Sequence, residues 1–396
     1  MTVTSQIAIF NSLGVAVASD TVTTHTHGLA PKTTSNAEKL WALGKDHLVV
    51  ALHSGSVVMN WTNFRNFVTE WSRTLDGPLE HVDDYPASFL AWLNSDADVI
   101  NPESEAAQVQ FLLENHFFEV NRRFRAAVER AKEPKDEATA LLETATQGFE
   151  WLSQLPIYPG ASDQADAALL THEGVNLTGL LEYLFKESAG FEEALPILLA
   201  SAPLILSRVQ PMPGDVEIGF VGYGSKDYFA RSSRVDIRGR YGGLVRATVE
   251  DTFGADNSGW SGSLSTFAQA EAIHGFLRGA HFSLINEIAN LVWDAVYRRI
   301  DETDGEDVQM ANEVEAELRE KIAEIQHERF VSPMLDTIGG MSLSSLAEFA
   351  ESLVAMQATF AAAGSGPATV GGFIETMVIS RAHGVQWVRR LPGAPV

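Results

Sequence analysis

Ile7-Ala8-Ile9-Phe10-Asn11-Ser12-Leu13-Gly14-Val15-Ala16-Val17-Ala18-Ser19-Asp20 is two short apolar runs hinged on a polar stretch that ends in glycine. Strand-forming residues on both sides of such a turn predict a β-hairpin, Ile7 to Phe10 against Val15 to Ser19. The second run ends on an acid, Asp20. After a polar loop a second pair of strands is predicted, Leu40 to Leu43 and Leu48 to His53. Lys39 stands at the mouth of the first and Ser54-Gly55-Ser56 closes the second.

Upstream of the hairpin lies Met1-Thr2-Val3-Thr4. A Thr behind an initiator Met becomes the first residue once that Met is removed, and then carries a hydroxyl and a free α-amine together. A Thr hydroxyl needs a base, and pairing it with the N-terminal amine is one established solution. That amine titrates near ~8, suited to proton transfer around neutral pH. The start alone decides nothing. Its meaning comes from the strands that follow.

Gly14-Val-Ala-Val-Ala-Ser-Asp20, Asn36-Ala-Glu-Lys39-Leu-Trp-Ala-Leu43 and Ala51-Leu-His-Ser-Gly55 resemble the N-terminal region of proteasome β-subunits and their bacterial relatives. The resemblance implies an α+β fold, the four-layer αββα sandwich of the N-terminal-nucleophile hydrolases. It implies a Thr nucleophile at the chain start, an acid ending the second strand, a Lys opening the third, and a Gly whose N–H serves the oxyanion hole. Those positions fall on Thr2, Asp20, Lys39 and Gly55. Lys39 would lower the nucleophile's pKa and move protons, and Asp20 would hold Lys39 in place. Gly55 permits close backbone approach to a developing oxyanion. Without the resemblance, Asp20 and Lys39 would read as a surface ion pair.

The register leaves two nucleophiles open. By the family's usual spacing, counting back from Asp20 reaches Thr4. Thr2 requires two extra residues in the first strand or its turn, which Asn11-Ser12-Leu13 offers. Thr4 requires a cut after Val3, where no Gly-Thr processing signal stands, so Thr2 is preferred here. In the family a Ser in the loop before a later helix supports the nucleophile; Ser263 matches by position, with Ser261 close behind. A Ser there is equally suited to cap that helix.

The chain has 396 residues, 45% of them hydrophobic, which predicts two or three units with a sizeable core. It has 52 acidic and 28 basic residues, a net charge of −24. That argues against nucleic acid or an anionic membrane as partner, because both need basic surface. No Cys is present, which excludes disulfides and thiol catalysis and fits a reducing compartment. Ala16-Val17-Ala18 mimics a signal-peptide cleavage site, yet no Lys or Arg precedes it and Asn11-Ser12 breaks the apolar run. No apolar stretch is long enough to span a bilayer.

Further along, an apolar face at helical spacing from Val58 through Trp61, Phe64, Phe67, Val68 and Trp71 to Leu75 predicts a helix. Helices are also predicted at 84–95, from Asn101-Pro102-Glu103 onward, at 136–154, at about 176–188 and at 190–207, with a loop over 155–168. Val216 to Tyr223, Val235 to Arg240 and Leu244 to Val249 predict a three-strand meander. A glycine-rich loop over 251–263 is followed by a helix from Phe267. Helices then run to about 327, and a last one covers 342–362. The aromatic stripe of the first helices reads as core rather than as a cofactor pocket. Gly219, Gly222 and Gly224 fail as a nucleotide loop because no helix opens after them. Asp301 to Asp307 fails calcium-loop spacing, since Glu306 sits where the turn Gly belongs. His25-Thr26-His27 offers two ligands, too few for a metal site. No cofactor and no metal are expected.

Gly371-Gly372-Phe-Ile-Glu-Thr-Met-Val-Ile379 and Val385 to Val388 resemble the closing strand pair of the same family. The expected organisation is a proteasome-like domain of residues 1–75 and 208–396, with helical insertions at 76–207 and about 285–340. One departure stands out. Where the family carries an Asp and a Ser that bond to the N-terminal Thr, this chain has Pro367 and Val370, neither able to hydrogen-bond through its side chain. Thr369 or Ser365 would substitute after a small shift. The expectation is a cytoplasmic threonine-type hydrolase of peptide or amide bonds, acting through an acyl-enzyme in a self-assembled ring. Its substrate and any ATPase unfoldase partner are not legible. The rivals are a small-amide hydrolase of the same superfold and an inactive structural homologue.

Overall fold

A computed structural model of the chain describes residues 4–25, 32–34, 37–95, 100–130, 137–210, 212, 214–255, 262–297, 305–364 and 370–392. It is a mixed α/β protein whose sheets are antiparallel. The hairpin forms as predicted: β1 (Ser5–Asn11) pairs with β2 (Gly14–Asp20) from Gln6↔Ser19 to Asn11↔Gly14 without a register shift. Every residue of both strands is buried. Ile7, Ile9, Ala16 and Ala18 face one side and Ala8, Phe10, Val15 and Val17 the other, so both faces of the hairpin lie in core.

After β3 (Thr23–His25) and β4 (Lys32–Thr34) come β5 (Leu40–Ala42) and β6 (Leu48–Gly55). Residues 58–63 make a small hairpin, β7 (Val58–Met59) and β8 (Thr62–Asn63), rather than the first turns of a helix. Asn60 and Trp61 take positive φ there, +47° and +63°, which a helix does not allow. Helix α1 (Phe64–Arg73) starts behind them, its Asn63 side chain accepting the Arg65 N–H. Helix α2 (Asp84–Ser95) packs with α1 on a sheet, its Tyr85, Phe89 and Leu93 in one core with Phe64 and Trp71.

A separate helical core follows, from α3 (Pro102–Arg130), α4 (Glu137–Gln154), α5 (Asp163–Leu169), α6 (Leu177–Phe185) and α7 (Phe191–Ser207). Helix α5 lies inside the stretch expected to be loop, capped by Ser162. The helical core therefore begins with α3; α2, inside the 76–207 stretch, packs with the sheet instead. The meander is β9 (Val216–Tyr223), β10 (Arg231–Tyr241) and β11 (Leu244–Gly254). It reaches past the body to bury Tyr241 in the helical core.

Residues 263–268, expected to span loop and helix start, are strand β12 (Ser263–Ala268) along β1, and helix α8 (Glu271–Arg278) opens only afterward. Phe267 explains the difference: its ring is buried between the sheets, where it has more to gain than on a helix surface. Helices α9 (Phe282–Tyr297) and α10 (Gly305–Gln326) form a hairpin, then a π-helical turn (His327–Val331), α11 (Ser332–Gly339) and α12 (Leu343–Ala363). Strands β13 (Ile374–Ser380) and β14 (Gly384–Arg389) close the chain.

Ten of the strands form two five-stranded sheets, ordered β12-β1-β2-β13-β14 and β11-β10-β9-β6-β5, while β3-β4 and β7-β8 are separate pairs. Helices α8, α11 and α12 cover the outer face of the first, and α1 and α2 that of the second. Phe10, Val17, Val50, Val221, Phe267 and Met377 fill the space between the sheets. Among the described residues no helix is long and apolar enough to cross a membrane.

Candidate active site

The open end of β1 and β2 meets the mouth of β5, and there a carboxylate is buried completely. Asp20 Oδ1 accepts the Lys39 ammonium at 2.8 Å and the Ser5 N–H at 3.0 Å. Oδ2 accepts the N–H groups of Val22 at 3.2 Å and Gly371 at 3.1 Å. Lys39 Nζ also donates to Val22 O. Both side chains are almost inaccessible, 0% for Asp20 and 5% for Lys39. The pair is an interior one, not the surface pair that its residue types alone suggest. Burial pulls the Lys39 ammonium below the usual lysine value, opposed by the adjacent Asp20 charge.

Thr4 is the residue before Ser5, buried, with its carbonyl accepting the Gln269 N–H at 2.8 Å. Ser5 N–H and Lys39 Nζ share one oxygen of Asp20, so Thr4 sits beside the pair. The hairpin itself is regular. Ser12 and Leu13 form a two-residue turn, with Leu13 N–H donating to Asn11 Oδ1, and no surplus residue is stored there or in the strands. Thr2, together with Pro367, Thr369, Ser365 and Ser261, lies outside the described residues.

Gly55 ends β6 opposite Val216, with φ +80°. A Cβ there would stand 2.3 Å from Asp215 O, so only glycine fits. His53 N–H donates to Lys39 O at 2.9 Å on one side of the strand, and Ser56 N–H to Asp215 O at 3.0 Å on the other. N–H groups alternate sides along a strand, so Gly55 N–H points as His53 does, past the end of β5 and toward the Lys39 side.

Ser263 is not brought to this place. It pairs with Phe10, at the far end of β1 from Ser5, roughly 16 Å away at the rise of a strand. The antiparallel run of β12 puts Ala268 opposite Ser5 instead. Ala268 takes φ +58°, a strained conformation for a residue with a Cβ, and strain of this kind gathers at functional sites. His25 ends β3, and residues 26–31 are outside the described ones; among those described no group of three His, Asp or Glu is spaced to hold a metal ion.

Several participants are invisible to motif reading. Gln6 Nε2 donates to Ser19 Oγ and to His53 O, both at 3.0 Å, stitching the two sheets together under the site. Glu375 pairs with Ser19, one step from Asp20, and is buried with Oε1 accepting the Leu391 N–H at 3.2 Å. Burial pushes its carboxyl above the usual range, and its charge bears on Lys39. The signal is an acid inside a strand whose other residues are uncharged. His53 is sandwiched between Trp41 and Phe64, ring centroids 5.3 and 5.2 Å away, with Nε2 2.9 Å from Ser56 O. Burial pulls its pKa to about 4, so the ring is neutral.

From Gly55 a polar line runs into the space between the sheets. Ser54 Oγ donates to Glu217, which pairs with Arg234, which in turn holds Glu250. Asp236, on the same strand as Arg234, is raised to about 7 by burial and by the Glu217 charge. The cavity here is about 280 Å³, walled by Arg234, Glu250 and Phe253 on one side and Leu264 to Phe267 on the other. It is large enough for a few side-chain atoms or ordered waters. The chain matches no known family profile and no curated protein.

Proposed function

We propose that this chain is a threonine hydrolase of the N-terminal-nucleophile type, cleaving peptide or other amide bonds, and that its layers form the αββα sandwich. The observation that carries the reading is the buried Asp20–Lys39 pair at the open end of β1, with Gly55 N–H directed to the same side. The order helix, sheet, sheet, helix supports the fold. The nucleophile most in keeping with the register is Thr4, freed by hydrolysis of the Val3–Thr4 bond; Thr2, freed by loss of Met1, is the alternative.

In the reaction the Thr α-amine takes the hydroxyl proton while the oxygen attacks the substrate carbonyl carbon. Gly55 N–H stabilises the oxyanion, a role whose loss typically costs ~10²–10³ in rate. The C–N bond then breaks, the amine leaves with the transferred proton, and an ester to Thr remains. Water, deprotonated by the same α-amine, hydrolyses that ester and releases the acid. Lys39 keeps the local potential positive, and Asp20 fixes Lys39. A cytoplasmic setting, peptide or protein substrates and a homo-oligomeric chamber belong to the same proposal.

A second reading, an inactive homologue with a structural role, is favoured by Val370. It is buried and apolar where a hydrogen-bonding side chain would serve the Thr amine. Intact mass of freshly purified protein, combined with labelling by a peptide β-lactone, separates the two. The hydrolase reading expects loss of residues 1–3 and a label on Thr4, or loss of Met1 alone and a label on Thr2, the label abolished in either case by Lys39→Ala. An unprocessed, unlabelled protein with no turnover on a peptide-amide panel sinks it and leaves the scaffold.

A further inference from the structure

We propose that Glu375 is a positioning acid that works through Lys39: it gives up its proton before the Lys39 ammonium does, and its charge then holds Lys39 positive. Gln6, Ser19 and Glu375 stand in register on β1, β2 and β13, with Ser19 opposite both of the others. By strand alternation they share a face with Ala8, Val17 and Met377, which fill the space between the sheets. Glu375 is 1% exposed. Its carboxyl lies against the Lys39 main-chain N–H, and its charge bears on the Lys39 ammonium.

The two acids beside Lys39 are held in different ways. Asp20 receives four donors, one of them the ammonium itself. On Glu375, Oε1 accepts the Leu391 N–H at 3.2 Å, while Oε2 has no hydrogen-bond partner among the described residues. One ammonium needs one counter-charge, and Asp20 supplies it. A second carboxylate with a bare oxygen in the same enclosed space is costly, so Glu375 holds its proton to higher pH than an exposed glutamate does. Burial and the charge of Glu38, just ahead of β5, act in that direction, and Arg390, just after β14, opposes them. The neighbours on the same face, Gln6 and Ser19, are uncharged. The titratable groups nearby on β2 and β6 are Asp20 and His53, and the His53 ring lies on the far face of its sheet with Trp41 and Phe64. Once Glu375 ionises, its charge favours the ammonium, so Lys39 stays positive to higher pH than Asp20 alone would allow. The coupling of the two side chains stands on the fold; the positioning role rests on the hydrolase reading.

The test is an NMR titration of the full-length protein, labelled with carbon-13 in its lysine side chains, from about pH 5 upward. The Lys39 signal is assigned by its loss in Lys39→Arg. In wild type that signal should move in two steps, a smaller one as Glu375 ionises and a larger one as the ammonium loses its proton. In Glu375→Gln, which keeps the shape and the Oε1 acceptor, the smaller step should vanish and the larger one move to lower pH. Glu375→Asp, with its carboxyl on a shorter stem, should restore a smaller step, and it keeps the test alive if the Gln variant does not fold. His53 titrates at about 4, below this window. A freed α-amine, near ~8, would leave its step in every one of these proteins. A single step in wild type, or the same curve in Glu375→Gln, overturns the proposal. The part played in hydrolysis is read on a peptide amide: the alkaline limb of kcat/KM should lie at lower pH in Glu375→Gln than in wild type, with KM unchanged. A loss by one factor at every pH would make Glu375 a structural residue and overturn the positioning role. No hydrolysis by either protein, with the two-step titration intact, sinks the hydrolase reading and leaves the coupling.

Discussion

His53 makes the protein sensitive to acid in a way that can be isolated. Its ring lies between Trp41 and Phe64, fully buried, and its pKa falls from an ordinary 6.5 to about 4 because burial disfavours the charged form. The sign follows from proton counting. Between those values the unfolded chain binds a proton that the folded chain does not. Stability from this group is therefore complete above pH 6.5 and is lost as the pH falls toward 4. At pH 4.5 the unfolded imidazole is almost wholly protonated and the folded one mostly neutral, which favours unfolding by a factor of about 75, or about 2.5 kcal/mol. Replacing His53 by Phe keeps a ring in the stack but loses the contact to Ser56 O, which costs about 1 kcal/mol at any pH. Urea denaturation from pH 7.5 to 4.5 should therefore show wild type the more stable at neutral pH by about 1 kcal/mol and the less stable at pH 4.5 by about 1.5 kcal/mol. The two curves cross. Parallel curves would mean that the His53 ring titrates in the fold as it does in water, and the burial argument would be wrong.

Gly55→Ala should destabilise by about 3 kcal/mol or more, from a φ of +80° and a Cβ 2.3 Å from Asp215 O, with any amide hydrolysis falling at least as steeply; a denaturation curve matching wild type would remove the reason for glycine there. Arg246→Met strands Asp166, a buried partner that ties α5 to β11, and should lose about 3–5 kcal/mol. Arg246→Met/Asp166→Leu should recover most of that, and a double variant no better than the single one counts against the pairing. Asp20→Asn puts an NH₂ group against two of the donors it must receive, so it should cost about 3–5 kcal/mol, read from the same urea titration. A loss below about 1 kcal/mol would show that the pair is not enclosed as described.

The opening hairpin was legible because its turn is marked by Asn11 and Gly14 and its strands are unbroken apolar runs. Asp20, Lys39 and Gly55 were legible because each sits at a strand end, where motif spacing in the chain and position in space agree. Ser263 was misjudged for the opposite reason. Its place just before a predicted helix matched the family's supporting Ser, but Phe267 is drawn between the sheets, and the strand that results runs antiparallel to β1, carrying Ser263 to the end of β1 far from Ser5. Trp61 was misjudged because three apolar residues at helical spacing look alike whether or not a hairpin intervenes. Gln6, His53 and Glu375 gave almost no signal, since their meaning lies in cross-sheet neighbours that no local pattern encodes. The boundary of the helical part shifted because α2 has an apolar face as good for a sheet as for other helices, and only the fold decides which it meets.

The hydrogen bonds of Asp20 bear directly on what chemistry the site can do. A carboxylate offers about four lone-pair positions. Here Ser5, Lys39, Val22 and Gly371 fill them, and three of the four donors are backbone groups that cannot swing away. Asp20 therefore anchors a positive charge and the ends of three chain segments at once. Lys39 is tied on its other side to Val22 O, which fixes its direction as well as its position. With the acid occupied and the lysine held, the proposed mechanism gives the part of base to an α-amine freed just before β1. A freed chain start is therefore the hinge of the proposal. If the Val3–Thr4 bond stays intact, and Met1 stays on Thr2, the pair still orders the strands but the Thr hydroxyl has no α-amine to take its proton, and the site becomes a structural knot.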